Sequence, residues 1–554
     1  MLQTIKFLVL LLLYSYSAIS QNQFQFVPVK NAVSKQKLTN KEWAEWQHKD
    51  IIDDSIPGIS LDKAYQFLKT KKHSSIIVAV IDSEIDINHD DLKNQIWINK
   101  DEIPNNGIDD DNNGYIDDIH GWNYVGTNKG DNVPYTSYEY VRILRKYKPL
   151  FDKYNSISDV PKKDIENFKL YQKAYLAYNF EVEKRKSEIA RFKRIERRFL
   201  KGKSIAKKYF PKENYASSTL DSLKLTISDV DEKESISKLV YYIKYNIDEK
   251  WVDSRVNFEK FKINTLLNFD YNDRLLTNDD IHNLNDFPYG NNNVQGIYGI
   301  NHATQIASLI AATRNNNIGI NGINDNVQLM PLSIAVVGNE FDKDITLAIR
   351  YAVDNGAKVI NMSLGKTFSM YPEWVNEAIK YAEDHDVLIV TSSGNNGLNI
   401  DKNNDFPTDN INGIESVRNF IKVGNTSQNI DSTLVFSNSN YGKKNVDIFA
   451  PGTRITSLSR SGKVKDTGTS LSCAVVSGIA SLLFSYYPNL SASEVKQIIM
   501  ESGVSYDIDV LKPYARGEKQ DPNKVPFSSL SKSGKIVNAY NALLLAEEVS
   551  KKKK

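Results

Sequence analysis

Ser75-Ile76-Ile77-Val78-Ala79-Val80-Ile81-Asp82 is a continuous apolar run closed by a carboxylate. A run of small and β-branched residues with no polar alternation suits a strand covered on both faces, as in a parallel sheet. Comparable runs lie at Lys358–Met362, Val387–Val390, Phe420–Val423 and Val446–Phe449. Between them, Asp342–Asn355 followed by Gly356, and Glu373–His385, read as crossover helices, the first with an Asp start and a Gly stop. The expected class is therefore α/β, a doubly wound and mostly parallel sheet. Ligands of such sheets gather beyond the carboxyl ends of the strands. Asp82 and the stretch Asn361 to Gly365 stand at such ends.

Two further segments carry groups that can react. His302 opens the helix-like run His302–Ala312, and Gly468-Thr469-Ser470 opens another, placing a serine hydroxyl at a helix start. A serine is a weak nucleophile until a base takes its proton, and the base needs a third group to orient it. Asp82, His302 and Ser470 supply the three types. Taken singly, each has a common structural use as a turn residue, a polar surface residue or an N-cap.

Asp, then His, then Ser is the chain order of the subtilisin-like serine proteases, and the flanking segments resemble that family too. Asn361-Met362-Ser363-Leu364-Gly365 resembles its substrate-binding strand, Ser393-Gly394-Asn395-Asn396-Gly397 its oxyanion loop, and Phe436-Ser437-Asn438 with Val446–Gly452 the run before the serine. The resemblance implies Asp82, His302 and Ser470 as a catalytic triad and Asn395 as an oxyanion donor, with Asn396 as the alternative one register away. Substrate would lie against Ser363, Leu364, Gly365, Ser393 and Gly394. The implied activity is that of an exported serine endopeptidase working through an acyl-enzyme on protein or peptide substrates, with no cofactor for catalysis. A catalytically silent binding protein on the same scaffold and a dedicated precursor-processing protease are the alternatives.

The chain departs from that family at Glu84, two residues after the aspartate, where glycine is usual, and at Ala303, Gln305 and Ala474. A carboxylate near Asp82 would repel its charge unless a cation or hydrogen bonds offset it.

With 554 residues, 41% hydrophobic and 25% charged, the chain has the composition of a soluble globular protein, and a net charge of +2 gives no reason to expect nucleic acid as a partner. Residues 1–20 read as a signal peptide: Lys6, then the apolar run Phe7–Leu13, then Ala18-Ile19-Ser20. That run is too short for a membrane anchor, so no integral membrane segment is expected once it is removed. Residues 21–42 form a short N-terminal segment, 43–127 and 290–546 a discontinuous catalytic domain, 128–289 an insertion, and 547–554 a basic tail. The single cysteine, Cys473, excludes an intramolecular disulfide and reads as a packing residue.

The insertion holds one glycine, Gly202, between Asp131 and Tyr289. Apolar residues recurring at Phe168, Tyr171, Tyr175, Tyr178, Val182, Ile189, Phe192 and Phe199 predict a long, coiled-coil-like helix over roughly 162–201. Its partners are expected in 138–154 and 235–247. The insertion is either a structural arm or a gate or docking surface near the active-site face.

Finally, Asp109-Asp110-Asp111-Asn112-Asn113-Gly114-Tyr115-Ile116-Asp117-Asp118 matches the first half of an EF-hand-type calcium loop, with His120 where the closing glutamate belongs. A structural Ca²⁺ is expected on Asp109, Asp111, Asn113 and Tyr115, closed by Asp117 or Asp118.

Overall fold

The computed structural model describes residues 33–296, 301–515 and 517–553. The signal-peptide assignment, and residues 21–32 of the segment after it, lie outside them. Nine strands form one sheet: β1 (Ile76–Asp82), β2 (Trp122–Asn123), β3 (Val327–Ser333), β4 (Ala357–Met362), β5 (Leu388–Ser392), β6 (Phe420–Thr426), β7 (Ile448–Pro451), β8 (Val504–Ser505) and β9 (Lys535–Ile536), in the order β8-β9-β7-β6-β5-β4-β1-β3-β2. Every pairing is parallel except that of β8 with β9.

The strands are buried on both faces, as unbroken apolar runs require. Val78, Val80, Val359, Leu388 and Val423 pack on one side against the helices His302–Ala311, Thr469–Tyr486 and Ala492–Ser502. Ala79, Ile81, Met330, Ile360 and Ile389 pack on the other against Asp342–Asp354 and Pro372–Asp384. The Thr469–Tyr486 helix is apolar and long enough to span a bilayer, yet 89% of it is buried, as befits the central helix of the core.

Both crossover helices stand where the sequence puts them, within a residue at each end. β3 has no counterpart among the expected strands because Pro331 interrupts its pattern. A proline fits there since β2 pairs only Leu332 and Ser333, so the missing N–H falls on the nearly open outer side of the strand.

The insertion is helical: α1 (Glu139–Phe151), α2 (Ile165–Tyr209), α3 (Ser217–Thr226), α4 (Val230–Lys244) and α5 (Glu249–Phe261). The 45-residue α2 runs past Gly202 and beyond the expected end near residue 201, because a β-carbon there would come within 2.8 Å of Leu239 on α4; glycine lets the two helices approach. α2 meets three partners in turn. Phe168, Tyr171 and Ala174 pack on α1, Phe192 on Val252 and Val256 of α5, and Phe199, Ile205 and Ala206 on Leu239 and Val240 of α4. Two of these partners are the expected ones, and α5 is the addition. Arg185, which breaks the apolar repeat, pairs with Glu259 of α5 at 2.6 Å.

Candidate active site

Asp82 ends β1 and is buried, with its Oδ1 accepting the Ser83 N–H at 2.7 Å. His302 is the first residue of its helix, and its Nδ1 lies 2.8 and 2.9 Å from the two oxygens of Asp82. Strand end and helix start, 220 residues apart in sequence, thus present one hydrogen-bonded pair. Burial disfavours the His302 imidazolium, but the charge and hydrogen bond of Asp82 outweigh it, with Asp466 and Glu340 adding to them, so its pKa is raised above the ordinary histidine value.

Ser470 is the second residue of the Thr469–Tyr486 helix. Its N–H belongs to the first turn, whose amides have no intrahelical acceptor and point outward. Its hydroxyl donates to the Ser363 carbonyl at 3.1 Å, and the Ser363 hydroxyl donates in return to the Ser470 carbonyl at 3.0 Å. No hydrogen bond joins Ser470 to His302 among the described residues, so in this state the serine is turned toward the strand.

Ser363, Leu364 and Gly365 continue β4 beyond its last paired residue, Met362, which stands opposite Thr391 of β5. They leave the ladder at the edge of the site. Asn395 sits on the loop after β5 with its Oδ1 accepting the Thr469 N–H at 2.9 Å, one residue before Ser470. This bond separates Asn395 from Asn396, whose backbone N–H is bound to Asn440 instead.

Asn440 was not legible as part of the site. Its amide donates to the Ser393 carbonyl at 2.8 Å while its Oδ1 accepts the N–H groups of Asn396 and Leu398 at 3.1 and 2.9 Å. It thereby fixes the Ser393–Gly397 loop. Gly394, at φ +95°, leaves the room this requires, since a β-carbon there would stand 2.5 Å from Asn440 Nδ2. Asp405 is a second addition. Its Oδ1 lies 3.6 Å from where β-carbons of Gly365 and Gly394 would be, and its Oδ2 is 2.6 Å from Lys422 Nζ, so a buried ion pair floors the space between the two backbones. Burial raises the Asp405 pKa against the pull of Lys422. Glu84 is fully buried beside the Asp82 strand end.

The acidic loop closes on itself differently from its EF-hand pattern. Asp109 caps the N–H groups of Asn113 and Gly114 at 3.0 and 2.8 Å, and Asp111 accepts from Asn113 at 3.0 Å. Asn113 Oδ1 accepts the Tyr115 N–H at 2.7 Å, while the Tyr115 ring is buried against Trp122, Tyr124 and Tyr351. Asp117 turns away to cap Asn106 and Gly107 at 3.1 and 2.9 Å, and Asp118 is buried between Asn99, Asn113 and Tyr351, its pKa raised by that burial. The carboxylate brought to the loop comes from upstream: oxygens of Glu102, Asp109 and Asp111 lie within 4.8 Å of one another.

The model of the Subtilase family matches residues 73–526. This chain belongs to the subtilase family. Within it, the chain is 32% identical over 241 residues to the cell wall-associated protease of Bacillus subtilis (strain 168), covering 43% of this chain and 25% of that protein. It is 34% identical over 204 residues to the thermophilic serine proteinase of Bacillus sp. (strain AK1), covering 36% and 46%. Its matches thus span from a quarter to about half of the length of these curated relatives. A solved protease of Pseudoalteromonas arctica PAMC 21717 aligns at 25% identity over 44% of this chain and 70% of the other, with a TM-score of 0.36.

Proposed function

We propose that this subtilase is an exported serine endopeptidase in which Ser470 attacks the scissile carbonyl. His302 takes the serine proton and returns it to the leaving amine. Asp82 holds the imidazole with Nε2 free and stabilises the imidazolium. The Asn395 side-chain amide and the Ser470 N–H would receive the oxyanion, and water would then hydrolyse the acyl-enzyme. The observation that carries this reading is the Nδ1 contact of His302 with both Asp82 oxygens, which orients the ring and raises its basicity. An extended peptide would pair by backbone with Ser363 to Gly365. Export rests on the Phe7–Leu13 run and its flanks.

A Ca²⁺ ion suits the acidic loop, whose convergent donors are all oxygens and mostly anionic. Glu102, Asp109 and Asp111 would hold it, with Glu102 in place of Asp117 or Asp118. Its role there is to bind carboxylates that would otherwise repel one another.

A second reading, a silent scaffold, is favoured by the Ser470 hydroxyl turned to Ser363 and by the buried Glu84. A fluorophosphonate serine probe separates the two. Adduct formation on the wild type and none on Ser470→Ala is the expected result. A folded, calcium-loaded wild type that stays unlabelled would overturn the endopeptidase reading.

A further inference from the structure

The insertion reaches the catalytic domain at several places, among them Val337 to Phe341, which lies between β3 and its crossover helix. That segment starts at the site itself, since the Ile334 and Ala335 N–H groups donate to the Asp82 carbonyl at 2.9 and 3.3 Å. Glu340, near its end, is among the groups whose charge acts on His302. The segment therefore runs along the site on the side away from β4, with Ser363 to Gly365 on the other.

Its conformation is dictated from the insertion. Thr136 binds the Val337 carbonyl through its N–H at 2.9 Å and the Asn339 carbonyl through its hydroxyl at 3.0 Å. Gly338, at φ +139°, makes the approach possible, because a β-carbon there would fall 2.0 Å from the Thr136 carbonyl oxygen. Arg142 of α1 donates to the Asn339 carbonyl at 2.9 Å and to the Glu340 carbonyl at 2.8 Å. Its guanidinium also lies 3.7 Å over the Phe341 ring, and that of Arg274, another insertion residue, lies 3.6 Å over the same ring. Two cations at that distance occupy opposite faces, so Phe341 is clamped between them.

The clamp extends to the opposite wall. Lys366, directly after Gly365, donates to the Glu340 carbonyl at 2.8 Å and pairs with Asp342 at 2.8 Å and with Glu139 of α1 at 3.3 Å. Glu139 is also the partner of Arg142. Arg142, Glu139, Lys366, Asp342 and Phe341 are all buried. Buried charges with committed partners tolerate few alternative arrangements.

We propose that the insertion sets the width and register of the substrate groove, with Arg142 and Arg274 as positioning residues for the Val337–Phe341 wall and Lys366 tying that wall to Ser363–Gly365. The proposal rests on the endopeptidase reading above. The insertion is then neither a detached arm nor a simple lid. It determines how well the groove grips residues of the substrate remote from the bond cut, and leaves the reacting groups alone.

Arg142→Lys tests this, because it keeps a charge for Glu139 but cannot clamp two carbonyls and stack on Phe341 at once. Arg274→Lys, which removes the other guanidinium from the Phe341 ring, is the second variant, in case the first fails to fold. Each is assayed on peptide substrates with one or four residues before the scissile bond, alongside fluorophosphonate labelling and hydrogen exchange of the 337–341 amides. The expected result is labelling and one-residue hydrolysis as in the wild type. The four-residue substrate should lose about tenfold in kcat/KM, chiefly through KM, and exchange at 337–341 should quicken. Equal losses on both substrates, or none on the longer one, overturn the proposal. If the wild type itself fails to label, the endopeptidase reading falls first, and unchanged exchange at 337–341 would show that the clamp has failed with it.

Discussion

Around the sheet, apolar burial is continuous. The main core cluster runs from Trp46 through Val78, Val390 and Leu483 to Ala546, drawing on segments from both ends of the described chain. In the insertion, α2 is buried piecemeal, in three small clusters with different partners, and the spaces among its helices hold paired charges such as Arg185 with Glu259. The first kind of packing is insensitive to orientation and strong per residue, about 1.5–3 kcal/mol for each fully buried Val or Leu. The second is orientation-specific and contributes little net stability, yet loses much when one partner is removed. The groups assigned to catalysis stand on the rigid part; the groove beside them is shaped by the other.

Asn395 offers the sharpest test of that division, since it binds Thr469 at the start of the core helix and no hydrogen bond joins its side chain to the insertion among the described residues. Asn395→Ala is expected to lower kcat by about 10²–10³-fold with KM little changed, the cost of losing one oxyanion donor. A loss shared with KM would mean that its bond to Thr469 shapes the groove as well.

Stability should divide the same way. Leu483→Ala, in the continuous core, is expected to cost about 2–5 kcal/mol and to lower the single unfolding transition of the whole catalytic domain. Arg185→Ala leaves the buried Glu259 to Lys262, 3.3 Å away, and is expected to cost about 1–3 kcal/mol for the lost buried partner, but within the insertion. Limited proteolysis should then cut α2 or α5 while Ser470 still labels. If Arg185→Ala unfolds both parts together, the two regions are one cooperative unit and the comparison fails.

Glu102 probes a third element, the acidic loop. Millimolar Ca²⁺ is expected to raise the melting temperature of the wild type relative to chelator, by the linkage of ligand to the folded state. Glu102→Gln should shrink that gap and Asp117→Asn should leave it, because Asp117 caps the Asn106–Gly107 turn instead. Equal melting temperatures in chelator and Ca²⁺ would remove the metal from the account.

The strands that sequence reading located are those whose apolar runs are unbroken, such as β1 and β4. β3 escaped it because one proline disguises a strand whose outer flank is nearly open. Helix α2 was visible through its spacing, but its end was not, since Gly202 reads as a stop unless Leu239 is known to lie against it. The residues of the site that sit in family-like motifs were legible: Asp82, His302 and Ser470 are brought to one edge, and Asn395 rather than Asn396 contacts the helix start. Asn440, Asp405 and Glu102 were not, because each acts through a tertiary contact with a segment distant in sequence or outside the recognised pattern. EF-hand spacing points downstream, to Asp117 or Asp118, for the closing carboxylate, whereas the fold also brings Glu102 from upstream to within 4.8 Å of Asp109 and Asp111.

The smallest expected effect is on pH dependence, and its sign follows from His302. The Asp82 carboxylate holds the imidazolium, so the folded-state pKa lies above the ordinary value of about 6.5. Only the neutral ring can take the Ser470 proton. The rate of serine labelling should therefore fall as pH drops, with its midpoint above that of an unperturbed histidine. Stability runs the other way: the contribution of the ion pair is fully present below the unfolded-state pKa and fades as pH rises through the folded one. His302 has a side chain 40% exposed, so that contribution is modest. Asp82→Asn should thus slow labelling at every pH and lower the melting temperature mainly on the acid side. A labelling midpoint at or below about 6.5 would mean that burial, rather than Asp82, governs the ring.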